Sequence, residues 1–142
     1  MTPGEAWSAV VEGEDAAVFA YSIAGARVGA TARSRALNGR DAHQSHRNRA
    51  SAMAVAAGGT PPGPAAAYDL PFEVDSARAA RQLMALVDNG LVALYADAAE
   101  VTAGDERRWA ARIAAENATR AVAWGAQTQA FPTAGTSSAS GD

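Results

Sequence analysis

The sequence predicts an all-α fold, an antiparallel bundle of four helices with one long proline-rich connection between the second and third. Three observations predict it. The chain of 142 residues holds 39 alanines and 12 arginines with no lysine, and alanine and arginine are among the best helix formers. Apolar residues recur at alternating spacings of three and four in four separate stretches, the mark of helices that bury one stripe. Turn residues separate those stretches, and no run of alternating polarity bounded by a hairpin turn occurs.

The first helix starts at Thr2-Pro3-Gly4-Glu5, where Thr2 can cap, Pro3 suits the first turn and Glu5 completes a capping box. Its seam is Trp7, Val11, Glu14, Val18, Tyr21, Gly25 and Val28. Asn38-Gly39 is the stronger local turn signal for its end. A break near Gly29 is favoured instead, because it gives two helices of matched length and sets Glu14 and His43 at one level. The second seam is then Ala36, Gly39, His43, His46, Ala50, Met53 and Ala57, with Gly39 costing about 1 kcal/mol inside a helix relative to alanine.

Residues 58–75 read GGTPPGPAAAYDLPFEVD, and their four prolines favour extended geometry. At about 3.3 Å per residue such a segment can run the length of a bundle, or fold as a compact surface loop. Asp75 or Ser76 caps the third helix, whose seam reads Leu83, Val87, Gly90, Leu94, Asp97 and Val101. A short turn at 103–106 leads to the fourth, with Trp109, Ile113, Glu116, Arg120, Ala123 and Gln127, ending near Phe131-Pro132. The bundle is expected over residues 1–131, followed by a Ser/Gly-rich tail at 132–142.

Polar residues interrupt these seams near mid-length: Glu14, His43, His46 and Glu116. The two halves can be overlaid with Glu14 on Gly90 and Val18 on Leu94, and with His43, His46 and Arg47 on Glu116, Thr119 and Arg120. Helical hairpins repeated in this way build bundles that hold two metal ions, each half giving a Glu and a Glu-x-x-His pair. Here no Glu-x-x-His occurs, so a two-metal centre is not expected. Glu14, His43, His46 and Glu116 could still hold one divalent ion, iron, manganese or zinc. The favoured alternative is a buried polar network, with Glu14 bonded to a histidine and Glu116 paired to Arg120 one turn on.

The chain resembles the ferritin-like domain family of unknown function from GC-rich bacteria. The resemblance rests on Glu14-Asp-Ala-Ala-Val-Phe-Ala-Tyr21, His46-Arg-Asn-Arg49, Thr60-Pro-Pro-Gly-Pro-Ala-Ala-Ala-Tyr68 and Leu70-Pro71. It extends through Leu94-Tyr-Ala-Asp97 and Trp124 to Phe131-Pro132. It implies a ferritin-like four-helix bundle and carries no activity with it.

Composition narrows function further. With no cysteine there are no disulfides, thiolate metal sites or cysteine nucleophiles, and the net charge of -3 disfavours nucleic acid. Arg33, Arg40 and Arg47, with Arg35 and Arg49, form a basic stripe expected to pair with acids on neighbouring helices. No apolar run is long enough for a membrane, and no signal peptide is visible, so a cytoplasmic protein is expected. Ser45 points away from the histidines, and the tryptophans read as packing. The favoured role is noncatalytic, a structural or interaction protein able to form a homodimer, with no cofactor. The alternatives are a metal-binding protein or metal-dependent oxidoreductase using the four polar residues, and a small-molecule carrier using space beside Gly90.

Overall fold

The structure is a computed structural model and describes residues 1–126. The helix end expected near Phe131 and the tail lie outside the described residues. Four helices make up the fold: α1 (Pro3–Gly25), α2 (Ala30–Ala56), α3 (Ala77–Val101) and α4 (Gly104–Ala123). The break falls where matched helix lengths require it, with Gly29 as the residue that caps α2. The Thr2–Glu5 capping box is formed, and Ser76 caps α3 by accepting from the Ala79 amide.

Two helix ends share one chemistry. At the end of α2, Gly59 N donates to Ala54 O and Gly58 N to Val55 O, with Gly58 at φ 80°. At the end of α4, Ala126 N donates to Ala121 O and Gly125 N to Val122 O, with Gly125 at φ 112°. Both are Schellman motifs, in which a left-handed glycine turns the chain back on its last carbonyls. Helix α4 therefore stops at Ala123, several residues before the end expected near Phe131, because Gly125 supplies the terminator.

Residues 14 and 21 of α1 meet residues 95 and 88 of α3, so these two helices are antiparallel. Helix α2 is also antiparallel to α1, being joined to it by a short turn. Helices α2 and α3 are then parallel, and segment 57–76 must run back along the bundle. It does: Gly59 lies against Gly4 at the start of α1, Tyr68 packs on Phe19 at 5.5 Å, and Val74 joins Tyr21, Ala24 and Val28 at the other end. Of the two paths open to the proline-rich segment, the crossover is the one taken.

The apolar core is divided in two. One cluster gathers Trp7, Val10, Val11, Leu91, Tyr95, Trp109 and Ile113; the other gathers Tyr21, Val28, Leu83, Met84 and Trp124. The polar level lies between them. Helices α1 and α3 pack on each other, α2 packs on α1 and α4 on α3, whereas no Cα of α2 comes within 8 Å of a Cα of α4. That leaves a groove between α2 and α4, bridged only by long side chains. No described helix is long and apolar enough to cross a membrane.

Gly39 sits where α2 crosses the Tyr21 ring, and a β-carbon there would collide with the ring edge. The ring cannot swing aside, since its hydroxyl donates to Asp88 and accepts from Trp124. Gly39→Ala gains about 1 kcal/mol of helix propensity but overpacks the core at a cost of about 1–3 kcal/mol. Net destabilisation is expected, read as a lower urea midpoint; a raised midpoint would contradict this packing.

Candidate functional site

Glu14 projects from α1, His43 from α2 and Asp88 from α3, and all three side chains are fully buried. His43 stands between the two acids, with Nδ1 2.6 Å from Glu14 Oε2 and Nε2 2.9 Å from Asp88 Oδ1. The second oxygen of each acid accepts from a tyrosine: Tyr95 donates to Glu14 Oε1 and Tyr21 to Asp88 Oδ2, both at 2.6 Å. Trp124 Nε1 completes the chain by donating to the Tyr21 oxygen at 2.8 Å. With both carboxylates ionised, each can only accept, and His43 then donates from both ring nitrogens as a cation.

Burial works against that charge, but the hydrogen bonds to Asp88 and Glu14, and the charges of both acids, outweigh it and push the His43 pKa up. Burial and the neighbouring acid likewise push both tyrosines far above their ordinary range, so they stay protonated as donors. With His43 protonated between two ionised acids, the cluster keeps surplus negative charge. The charge of Arg120 acts to lower the pKa of Tyr21, Tyr95 and His46 alike, so its positive field reaches both tyrosines and His46.

His46 lies one turn along α2, on the groove side, with its side chain 14 % exposed. Its Nδ1 is 3.7 Å from Glu14 Oε1 and its Nε2 3.9 Å from Glu116 Oε2, both beyond hydrogen-bond reach. Nδ1 is buried without a partner. Burial chiefly holds its pKa below the ordinary value. Glu14, His43 and His46 each offer a donor atom within 4.8 Å of the others.

The two histidines act on stability in opposite senses. His43, with its folded-state pKa raised, stabilises fully below about pH 6.5, and that contribution is lost as pH rises through the folded-state value. His46, with its folded-state pKa lowered, costs stability as pH falls below about 6.5. The histidine contribution should therefore peak near that pH. Urea midpoints against pH should show His46→Ala flattening the acid limb while the alkaline limb remains.

Of the four residues singled out from sequence, Glu14 and His43 form the centre, His46 stands beside them, and Glu116 sits on the rim with its side chain 42 % exposed. The expected Glu116–Arg120 pair is not formed: Arg120 Nη1 donates to Asn117 Oδ1 at 3.3 Å instead. Asp88 was missed, and so was the buried Asn117, whose Nδ2 has no partner. The cause is the seam of α3. Its buried line is Ala80, Met84, Asp88, Leu91, Tyr95 and Ala98, one residue from the line through Val87, Gly90, Leu94 and Asp97. Gly90 and Asp97 are exposed, and nothing lies within 4 Å of the β-carbon that Gly90 lacks.

A signal for Asp88 was in the sequence. A constant shift of 74 positions carries Glu14 to Asp88, Tyr21 to Tyr95, His43 to Asn117 and His46 to Arg120. Residues matched by this shift share their burial at Val10/Met84, Ala17/Leu91, Ala24/Ala98 and Ala36/Ala110. It replaces the overlay that set Glu14 on Gly90 and His43 on Glu116. The tyrosine of each half bonds the acid of the other, as two antiparallel half-sites require.

The basic stripe of α2 meets varied partners: Arg33 donates to Gly25 O, and Arg40 lies 3.6 Å from Asp41 on its own helix. Arg47 pairs with Asp15 at 2.8 Å, while Arg35 and Arg49 lie over the Trp124 and Trp109 rings at 4.3 and 4.5 Å. Cation–π stacking takes the place of the acid pairs expected for these two.

Fold and site together define a four-helix bundle with a crossover connection and a buried acid–histidine–tyrosine network. The chain belongs to the family described as a domain of unknown function (DUF4439), which matches residues 6–136. It is similar to a conserved hypothetical protein, Rv2844, from Mycobacterium tuberculosis, whose crystal structure superimposes with a TM-score of 0.82 at 26% identity over 86% of this chain and 93% of that one. No curated protein matches.

Proposed function

We propose that the chain is a noncatalytic, ferritin-like bundle in which a proton-linked network stands where a metal-binding bundle carries its metal pair, and that it serves as a structural or interaction protein. One observation carries this reading: His43 uses both ring nitrogens on Glu14 and Asp88, and both acids use their remaining oxygens on tyrosines. Each oxygen of the two acids and each ring nitrogen of His43 already has a hydrogen-bond partner. The single crossover supports the ferritin-like assignment, since bundles of that type carry one.

The residues present do not fit a two-metal centre. The positions related by the shift of 74 hold Glu14, His43 and His46 in one half and Asp88, Asn117 and Arg120 in the other. A guanidinium has no lone pair to donate, and its fixed charge opposes a nearby metal ion. Arg120 and the His43 proton instead supply positive charge beside the acids.

A second reading has its own observation. The donor atoms of Glu14, His43 and His46 are close enough for one divalent ion, which would displace the His43 proton. The two separate on metal content of the untagged full-length protein, purified without chelator and challenged with Fe(II), Mn(II) and Zn(II). The network reading expects no stoichiometric uptake. Uptake near one equivalent that His46→Ala abolishes would sink it, since His46 lies outside the network's bonds. Sedimentation of the same sample tests the homodimer.

A further inference from the structure

Between α2 and α4 lies a cavity of about 610 Å³, whose wall shares Trp124 with the network. Its walls carry three guanidiniums, Arg35 from α2 and Arg112 and Arg120 from α4, against one carboxylate, Glu116. Among the described residues no carboxylate lies within 4.0 Å of any of the three. By contrast Arg47 is paired with Asp15 and Arg108 with Asp105. Unpaired cations facing one another across a cavity repel, and the arrangement gains from an anion between them.

We infer that this cavity binds a small organic anion, a carboxylate or phosphate group on a short planar or apolar body. Guanidinium forks match the two-oxygen edge of either group, and each such bond is stronger than a neutral one. Two of the three arginines are already held in place. Arg120 is anchored on the buried Asn117, and Arg35 lies over the Trp124 ring at 4.3 Å and donates to Ala123 O at 3.3 Å. Side chains fixed in advance lose little freedom when a ligand arrives. Arg112 is exposed and makes no hydrogen bond in the described structure, so it is free to close on the anion from the rim. Trp124, with Ala115 and Ala123, gives the cavity an apolar wall for the body of the ligand, and Asn38 and Thr119 add neutral polar groups.

The separation of α2 from α4 fits this use. The other sequential and facing helix pairs of the bundle approach closely, whereas these two stand apart and are bridged by Arg35 on Trp124 and Arg49 on Trp109. Those stacks prop the groove at two levels, and the cavity lies between α2 and α4 with Arg35 and Trp124 in its wall. The inference goes beyond the network reading and does not depend on it.

Calorimetric titration of the full-length protein at neutral pH and low salt tests it, with phenyl phosphate, phenylacetate and uncharged benzyl alcohol as probes. At least one anion should bind saturably at one per chain, and the alcohol should not. Arg112→Ala should weaken that binding about tenfold, while Arg78→Ala, on the exposed start of α3, leaves it unchanged. The stronger of the two anions tells a phosphate site from a carboxylate site. Lack of saturable binding by either anion, equal binding of the alcohol, or binding indifferent to Arg112→Ala would each overturn the proposal.

Discussion

Asp88→Ala should lower the unfolding free energy by about 3–5 kcal/mol, the loss typical of a buried ion pair stripped of one partner. The substitution leaves the Nε2–H of His43 and the hydroxyl of Tyr21 without acceptors in a site from which water is excluded. Domains of this size have total stabilities of about 5–15 kcal/mol, so the variant should be visibly close to unfolding in mild urea. Asp88→Asn offers a discriminating control. Its carbonyl oxygen can accept from Tyr21 and its amide can donate to a neutral His43, which keeps Nδ1–H for Glu14. That variant should retain much of the lost stability and lose the alkaline decline assigned to His43. A loss below about 1 kcal/mol for Asp88→Ala would mean the network is not the connected unit its geometry describes.

Trp7→Ala should cost about 3–5 kcal/mol by a different route, the cavity left by a large buried ring. Trp7 is fully buried and packs edge-on against Tyr95 at 6.5 Å and tilted against Trp109 at 5.6 Å. Its indole N–H also donates to Glu106 at 3.0 Å, tying the start of α1 to the start of α4. Loss of the ring removes one wall behind Tyr95, which positions Glu14, so the variant should also weaken the His43 pH dependence. Trp7→Phe keeps most of the packing and gives up the hydrogen bond, so it should lose markedly less. Equal losses for the two variants would contradict the cavity account.

Much of the fold was legible because the signals were local. Thr2 with Glu5, and Ser76, mark helix ends by capping chemistry, which depends on a few adjacent residues, whereas the break at Gly29 follows from matched helix lengths. The proline-rich segment was recognisable as extended, but its crossover path was open until the antiparallel pairing of α1 and α3 fixed it. The end of α4 at Gly125 was overlooked in favour of Phe131-Pro132, although a glycine followed by two Schellman bonds is the stronger stop.

The site was half legible. Glu14 and His43 stood on seams whose other members, His46 aside, are largely apolar, so their burial could be read from spacing. Asp88 could not be read that way, since Val87, Leu94 and Val101 are bulkier than the buried Ala80 and Ala98 and draw the apparent seam to the flank of α3. Those flanking residues do pack on the core, but from its edge. The buried line of α3 mixes Met84, Leu91 and Tyr95 with Ala80, Ala98 and the polar Asp88, so apolar size alone does not pick it out. The better guide was chemical: a carboxylate followed seven residues later by tyrosine occurs at Glu14 and Tyr21 and again at Asp88 and Tyr95.

The central claim, that protons rather than a metal hold Glu14, His43 and Asp88 together, is tested most directly by nitrogen NMR of the His43 imidazole at neutral pH, before and after one equivalent of Zn(II). The account predicts two protonated ring nitrogens whose signals do not change when zinc is added. One bare nitrogen before zinc, or a stoichiometric shift of either signal on its addition, would contradict it.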